Sequence, residues 1–254
     1  MPDALHLVLY VVLGGVLGAL GGLFGIGGGI IAIPVLGLAF GLDEQHAQGT
    51  ALVMVAPNVL VGLWDYARRG SVDRRVAIVL AACAVPFTYA GAIYATRIAG
   101  PGLRYGFGAF AAVLAVWFAY RALSAPKTAP VAVARLAWGW TAVVGALGGI
   151  LSGVFSVGGA VFAVPFLTLV FAYTQTEAQG LSLALVAPGT IVGIVTYALA
   201  SDVDWGIGIP MALGGTVCVR YGVALAHRLP ERRLRLLFCA LLAAAAIGLL
   251  SRGS

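Results

Sequence analysis

Long apolar runs, separated by short polar segments, extend along this whole chain. The runs lie at residues 4–23, 26–40, 47–66, 75–96 and 102–122, and again at 136–154, 158–173, 178–200, 205–226 and 234–251. Most are close to the ~20 residues that an α-helix needs to cross a bilayer. None shows the alternating ten-residue pattern of a membrane β-strand. The pattern therefore predicts an all-α polytopic membrane protein with about eight to ten apolar segments.

The second set of runs repeats the first at an offset of 131 residues. Under this shift Gln48 coincides with Gln179, Pro57 with Pro188, and Tyr66 with Tyr197. Such internal similarity indicates two copies of one structural unit, an organisation that many transporters share. We therefore divide the chain into repeat 1 (residues 1–124), a linker (125–135) and repeat 2 (136–254).

The arginines in the loops predict that the two repeats have inverted topology. Loop 68–75 is strongly basic, which places it in the cytoplasm, whereas the equivalent loop 201–204 has no basic residue. Conversely, loop 227–235 is more basic than its equivalent, 97–104. The linker region is also basic, which places it in the cytoplasm as well. Inversion requires an odd number of crossings in each repeat. Five full crossings satisfy this, as do three crossings plus a re-entrant hairpin, which the short run 26–40 favours.

Composition agrees with a membrane protein and narrows its partners. Of the residues, 61% are hydrophobic and 9% are charged, too few charges to cover a soluble domain. The net charge of +6 lies in short loops, so orientation in the membrane explains it better than nucleic-acid binding. We expect the lipid bilayer as a partner and no nucleic acid, and we leave a homo-oligomer open.

Two glycine-rich segments interrupt the apolar runs at equivalent places, Gly22–Ile30 and Gly153–Val161. Consecutive glycines weaken a helix, and unwound backbone at membrane depth persists only where protein or a wet cavity satisfies it. If hairpins enter from opposite faces, their tips can meet near the midplane, where the following helix N-termini suit an anion. The alternative is that these glycines only allow helices to pack closely.

The candidate substrate-binding residues are the two tips and the polar side chains near them. The equivalent glutamines would either contact substrate or brace the tips, the two tip phenylalanines would gate or shape the cavity, and for the mid-span asparagine a structural role is favoured. The set comprises Phe24, Gly25, Gly27, Gly28, Gly29, Gln48, Thr50, Asn58, Phe155, Ser156, Gly158, Gly159, Gln179 and Ser182.

The ionisable residues give little sign of catalysis. No aspartate or glutamate lies in the middle of a predicted span, so a proton relay through buried carboxylates is not visible. The three histidines and three cysteines are scattered, without the spacing of a metal site or a catalytic cluster. We therefore expect no cofactor, no bound metal and no enzyme activity.

At the two tips the chain resembles the sulfite exporter TauE/SafE family of bacterial membrane permeases. The resemblance rests on Gly22–Pro34, its copy Gly153–Pro165, and the stretches that begin at Gln48 and Gln179. It implies a multi-pass inner-membrane transporter for small sulfur-containing anions such as sulfite, sulfoacetate or related organosulfur compounds. The leading hypothesis is a secondary transporter that exports such an anion by alternating access. The alternative is a passive anion channel that uses the same tips as a filter.

Overall fold

The computed structural model describes residues 4–97, 138–156 and 158–250, with scattered positions between 102 and 120. Within these residues the chain is helical and contains no strand, which confirms the predicted all-α fold. The helices with defined bounds are α1 (Ala4–Phe24), α2 (Gly29–Ala39), α3 (Glu44–Arg68), α4 (Arg74–Arg97), α5 (Trp138–Phe155), α6 (Gly158–Leu169), α7 (Gln175–Leu199), α8 (Trp205–Arg228) and α9 (Glu231–Leu250). The predicted linker 125–135 lies outside the described residues.

Helix lengths follow the apolar runs. Among the described residues, five helices are long and apolar enough to cross a membrane: α1, α3, α4, α7 and α8. Helices α2 and α6 have 11 and 12 residues, so they extend only ~16–18 Å, about half of a ~30 Å core. The ring of Tyr10 in α1 lies 5.4 Å from that of Phe40, which directly follows α2. This contact shows that α2 runs back along α1. This geometry fits the hairpin alternative.

Helices α3 and α7 form the centre of the fold. Residues 47–56 of α3 and the equivalent residues 178–187 of α7 are buried without a break. A helix that is apolar and buried on all sides is expected only in the interior of a bundle. A Cβ added at Gly62 would lie 3.1 Å from Leu183, and one added at Gly193 would lie 2.9 Å from Leu52. The beginning of each helix thus meets the end of the other, so this equivalent pair is antiparallel.

Glycine seams join each first helix to the other half of the chain. A Cβ added at Gly14, Gly18 or Gly22 of α1 would collide with Met211, Gly215 or Val219 of α8, respectively. At the positions 131 residues away, Gly145, Gly149 and Gly153 of α5 meet Leu80, Ala84 and Thr88 of α4. The six glycines therefore serve close helix packing, as their spacing predicts.

Two contacts between loops show which loops lie at the same end of the bundle. Ser71 Oγ lies 2.8 Å from His227 Nε2, so the two loops that the arginines assign to the cytoplasm are neighbours. At the opposite end, His46 Nδ1 lies 3.7 Å from Asp202 Oδ1. We name the ends after the tyrosines near them, the Tyr66 end and the Tyr197 end. The assignment of the Tyr66 end to the cytoplasm stays a prediction from the loop charges.

A substitution in the α1–α8 seam tests this packing. Gly18→Ala should lower the melting temperature of the purified protein, because a Cβ there meets the backbone of Gly215; overpacking typically costs about 1–3 kcal/mol. Gly139→Ala is the matched control, since no atom lies within 4 Å of a Cβ there, and it should leave the melting temperature unchanged or slightly raised. Equal melting temperatures for the two variants would contradict the seam.

Candidate functional site

The first glycine segment forms a tight turn between α1 and α2. Gly25, Gly27 and Gly28 have φ values of 67°, 71° and 94°, in the left-handed region that glycine adopts without a Cβ penalty. The turn changes the hydrogen bonding at the end of α1, since Ile26 N–H donates to the carbonyl of Gly21 at 3.0 Å. The carbonyls that follow therefore need partners from elsewhere in the protein.

Side chains of α3 and α7 supply those partners. The Tyr66 hydroxyl lies 3.0 Å from the Gly22 carbonyl oxygen, and Ser182 Oγ donates to the Gly25 carbonyl at 2.6 Å. Asn58 Nδ2 donates to the Gly27 carbonyl at 3.4 Å. Unwound backbone inside a membrane protein is tolerated where such bonds replace the helical ones. All three side chains are fully buried.

The Tyr66 cluster consists of Tyr66, Gln179 and Ser182 around the first turn. The Tyr66 hydroxyl, besides facing Gly22, lies 2.9 Å from Gln179 Oε1. A Cβ at Gly25 would lie 2.5 Å from the Gln179 Cβ, so only glycine fits against this glutamine. Gln179 Nε2 is buried and has no partner among the described residues; turning the amide over would leave its oxygen unpaired instead.

The Tyr197 cluster is the equivalent arrangement at the other end, formed by Tyr197, Gln48 and Ser156. Gln48 Oε1 accepts from the Tyr197 hydroxyl at 2.7 Å and from Ser156 Oγ at 2.9 Å. Ser156 occupies the position equivalent to Gly25 and also has a positive φ, 58°. In both clusters the tyrosine of one repeat thus bonds the glutamine of the other. Gln48 thus bonds the second turn directly, and the Gln179 side chain lies against the first; a contact of either glutamine with substrate stays a prediction.

The two clusters lie at opposite ends of the α3–α7 pair. Gln48 and Tyr66 are 18 residues apart in α3, which separates the two clusters by ~27 Å along its axis. The first turn begins beside Val219, nine residues before the end of α8. The turn itself reaches the middle of α3, where Gly27 lies against Val55 and Gly28 near Met54, and a meeting of the two tips near the midplane stays a prediction.

Several other predicted site residues have packing roles. Phe24 is buried against Phe238, with ring centroids 6.0 Å apart, and Phe155 stacks on Phe110 at 5.7 Å. Thr50 Oγ1 accepts from the backbone N–H of Asp204 at 2.9 Å, which fixes the start of α8. A Cβ at Gly159 would collide with α5. Gly29 and Gly158 are the first residues of α2 and α6.

The two clusters differ in one buried neighbour that the sequence analysis did not single out. One helical turn before Gln48 lies Glu44, whose Oε1 is 3.5 Å from Gln48 Nε2. The equivalent residue before Gln179 is Gln175, which is fully buried and has no hydrogen-bond partner for its amide among the described residues. The Tyr197 cluster therefore contains a carboxylate where the Tyr66 cluster contains a neutral amide. The 131-residue offset already aligns Glu44 with Gln175 in the sequence, and this difference between the repeats was the available signal.

A cavity opens beside Gln175 at the Tyr66 end. Its volume is about 240 Å³, and its lining residues are Thr174, Gln175, Thr176, Ala226, His227, Leu229, Glu231 and Leu234. The carboxylate in this lining is neutralised, since Glu231 Oε1 lies 2.8 Å from Arg235. His227 bridges the Val223 carbonyl and Ser71 through its two ring nitrogens. The cavity is therefore partly polar, and its carboxylate is paired with an arginine.

Charge is distributed unequally between the ends. The described residues at the Tyr66 end include eight arginines against four acids, Asp65, Asp73, Glu177 and Glu231, whereas those at the Tyr197 end include one arginine, Arg97, against Asp43, Glu44, Asp202 and Asp204. The eight arginines are Arg68, Arg69, Arg74, Arg75, Arg228, Arg232, Arg233 and Arg235. Burial raises the pKa of the Asp202 carboxyl, and the nearby His46 opposes this shift. A small anion would therefore be attracted to the Tyr66 end and repelled from the Tyr197 end.

Comparison with known proteins agrees with this architecture. The family model described as sulfite exporter TauE/SafE matches residues 10–249. The chain belongs to the sulfite exporter TauE/SafE family. A probable membrane transporter protein of Xylella fastidiosa (strain 9a5c) is 30% identical over 226 residues, covering 87% of this chain and 85% of that protein. Another, from Methanocaldococcus jannaschii, is 25% identical over 259 residues, with 94% and 93% covered. No solved structure matches significantly.

Membership of the TauE/SafE family gives the protein its general role. It is a multi-pass membrane transporter, and the inner membrane is the location that fits a bacterial transporter. The family and the names of the relatives indicate transport rather than catalysis. Within the described residues no three histidine, cysteine, aspartate or glutamate side chains are grouped as metal ligands would be.

The two tyrosines of this TauE/SafE protein should differ in their contribution to stability. Tyr66→Phe leaves both the Gly22 carbonyl and Gln179 Oε1 without the hydroxyl, which should cost about 1–3 kcal/mol. Tyr197→Phe should cost less, because Gln48 Oε1 keeps the Ser156 hydroxyl. Thermal unfolding of the purified variants measures this order, with Tyr94→Phe as the exposed control. A larger loss for Tyr197→Phe would contradict the assignment.

Proposed function

We propose that this protein is a secondary transporter that exports a small sulfur oxyanion, such as sulfite or a related organosulfur anion, by alternating access. The observation that carries the proposal is the Gln179 amide, a fully buried group of which one polar atom has no partner among the described residues, beside unwound backbone. Buried polar groups in native proteins are normally satisfied, so an amide with one unpaired polar atom in this place suits a ligand. The family supplies the class of anion.

The proposed site lies between the Tyr66 cluster and the N-terminus of α2. That N-terminus has no side-chain cap, so its backbone N–H groups and the positive end of its dipole favour an anion. Gln179 offers a further donor when its Nε2 atom faces the site, and Asn58 Oδ1 is a buried acceptor without a partner among the described residues. A partly protonated oxyanion such as hydrogensulfite has oxygens that accept from these donors and one proton that it can donate to Asn58 Oδ1. Recognition would thus use amides and backbone dipoles instead of a buried arginine, which is expensive in a membrane.

The two clusters would act as alternating gates. Opening the Tyr66 cluster breaks the bond between Tyr66 and Gln179 and admits an anion through the cavity beside Gln175. Opening the Tyr197 cluster instead separates Gln48 from Tyr197 and Ser156, and releases the anion toward the end that carries Glu44 and Asp202. With the cytoplasm negative, each negative charge moved outward gains ~2.3 kcal/mol per 100 mV.

Flux measurements test the proposal and the role of Gln179 together. Proteoliposomes loaded with sulfite, sulfoacetate or a set of other anions should release at least one sulfur oxyanion faster than equally loaded liposomes without the protein. Gln179→Glu should reduce this flux at least ~10-fold, because like charges at a binding site cost several kcal/mol. Gln179→Leu, which removes the donor without adding charge, should also reduce it. Gln45→Glu at the opposite end is the matched control and should keep the wild-type rate.

Two outcomes would contradict the proposal in different ways. Absence of flux for every anion, with folded protein in the liposomes, would refute the transport of a sulfur oxyanion. Wild-type flux in both Gln179 variants would keep the function but remove the site. Counterflow separates the transporter from the passive channel: internal unlabelled substrate should drive accumulation of external labelled substrate, which a channel does not produce.

A further inference from the structure

Two arginines share one tryptophan on the outer surface of the bundle, at the seam between α3 and α8. The guanidinium carbon of Arg68 lies 4.5 Å from the Trp64 ring centroid, and that of Arg220 lies 5.4 Å from it. The two guanidinium carbons are therefore separated by at most the sum of these distances, about 10 Å. Cation–π contacts of this kind hold both side chains over the ring.

These arginines have no ion-pair partner in the described chain, and Arg220 lies within an apolar helix. Neither guanidinium has an ion pair or hydrogen bond to another part of the described chain, Asp65 included. Arg220 lies eight residues before the end of α8, ~12 Å from the helix terminus. A charge at such depth is costly unless it reaches the interface or meets a counter-ion. Two like charges within about 10 Å increase the need for an anion.

Apolar side chains continue from this pair of arginines along the same seam toward the middle of the bundle. Leu60 lies one turn before Trp64 on α3, and Val217 and Leu213 lie on the α8 face below Arg220; all three are exposed. The seam thus presents a cationic, aromatic head and an apolar groove beneath it. This combination matches a phospholipid in both of its parts, whereas a free anion would match only the head.

The equivalent seam of the other half, between α7 and α4, lacks this arrangement. The positions 131 residues from Trp64, Arg68 and Arg220 are Val195, Leu199 and Tyr89. The apolar part is nevertheless present there, since Ile191 occupies the position of Leu60 and is also exposed. The cationic head therefore exists only at the arginine-rich Tyr66 end, which the loop charges assign to the cytoplasm. Basic pockets between membrane helices on that side suit anionic lipid headgroups.

We propose that Trp64, Arg68 and Arg220 form a binding site for the phosphate of an anionic phospholipid, whose acyl chain lies over Leu60, Val217 and Leu213. The guanidinium groups bind the phosphate oxygens, since Arg and phosphate match in geometry and charge. The Trp64 ring holds both groups in place. The site is independent of the transported substrate.

Lipid retention by the full-length protein tests this site. In native mass spectrometry from detergent, wild-type protein should retain phosphatidylglycerol in preference to phosphatidylcholine with the same acyl chains. Arg68→Gln combined with Arg220→Gln should weaken phosphatidylglycerol binding roughly 25-fold, at about fivefold per arginine. Arg74→Gln combined with Arg75→Gln removes the same charge from exposed positions at the same end and should change binding less than about twofold.

The contradicting results are equally specific. No preference for phosphatidylglycerol in the wild type, or an equal loss in both double variants, would overturn the site and leave only diffuse charge attraction. Competition by glycerol phosphate as effective as that by the whole lipid would show an anion site without the apolar groove. Because both arginines are exposed, unchanged thermal unfolding of the variants without lipid should exclude misfolding as the cause.

Discussion

The fold depends on satisfying a stretch of unwound backbone inside a membrane protein. At the first turn, the carbonyls of Gly22, Gly25 and Gly27 face side-chain donors. Inside a bilayer no water replaces a missing partner, and an unpaired group costs several kcal/mol. The donors Tyr66, Ser182 and Asn58 come from the two most buried helices, α3 and α7. The central pair is therefore a scaffold for the turn as well as a packing core.

Hydrogen bonds between the two halves make each turn depend on the other half of the chain. Tyr66 bonds Gln179, and Tyr197 bonds Gln48, so neither turn is held by its own half alone. The helices α3 and α7 cannot separate at one end without breaking the bonds of that cluster. Because the clusters lie at opposite ends of the pair, a rocking motion can open one while the other stays closed. This is the mechanical basis of the alternating access that we propose.

Differences between equivalent positions make the two ends of the α3–α7 pair chemically unequal. Glu44 and Gln175 are equivalent, as are Ser156 and Gly25. The Tyr197 cluster uses its serine and glutamate to satisfy Gln48, whereas the Tyr66 cluster leaves one polar atom of the Gln179 amide unpaired. An anion thus meets an incompletely bonded amide at one end and a carboxylate near the other. The proposed export direction follows from this contrast.

Much of the architecture could be predicted from the sequence because apolar runs and glycine spacing are local signals. Run lengths gave the helices, and the 131-residue offset recurs in the contacts of Gly62 with Leu183 and of Gly193 with Leu52. The position of the turns could not be predicted, since it depends on how far α1 penetrates between its neighbours. The tyrosines coincided under the offset, but nothing local indicated that each pairs with the glutamine of the other half.

A reversible cross-link between α3 and α7 tests the central claim most directly. In a background without Cys83, Cys218 and Cys239, the pair Gly62→Cys and Leu183→Cys should form a disulfide under mild oxidation, because these positions are in contact. The pair Gly62→Cys and Leu185→Cys, out of register, should not. We expect sulfite flux to stop when the first pair is oxidised and to return after reduction. Undiminished flux through fully cross-linked protein would contradict the account, because α3 and α7 would then not need to separate.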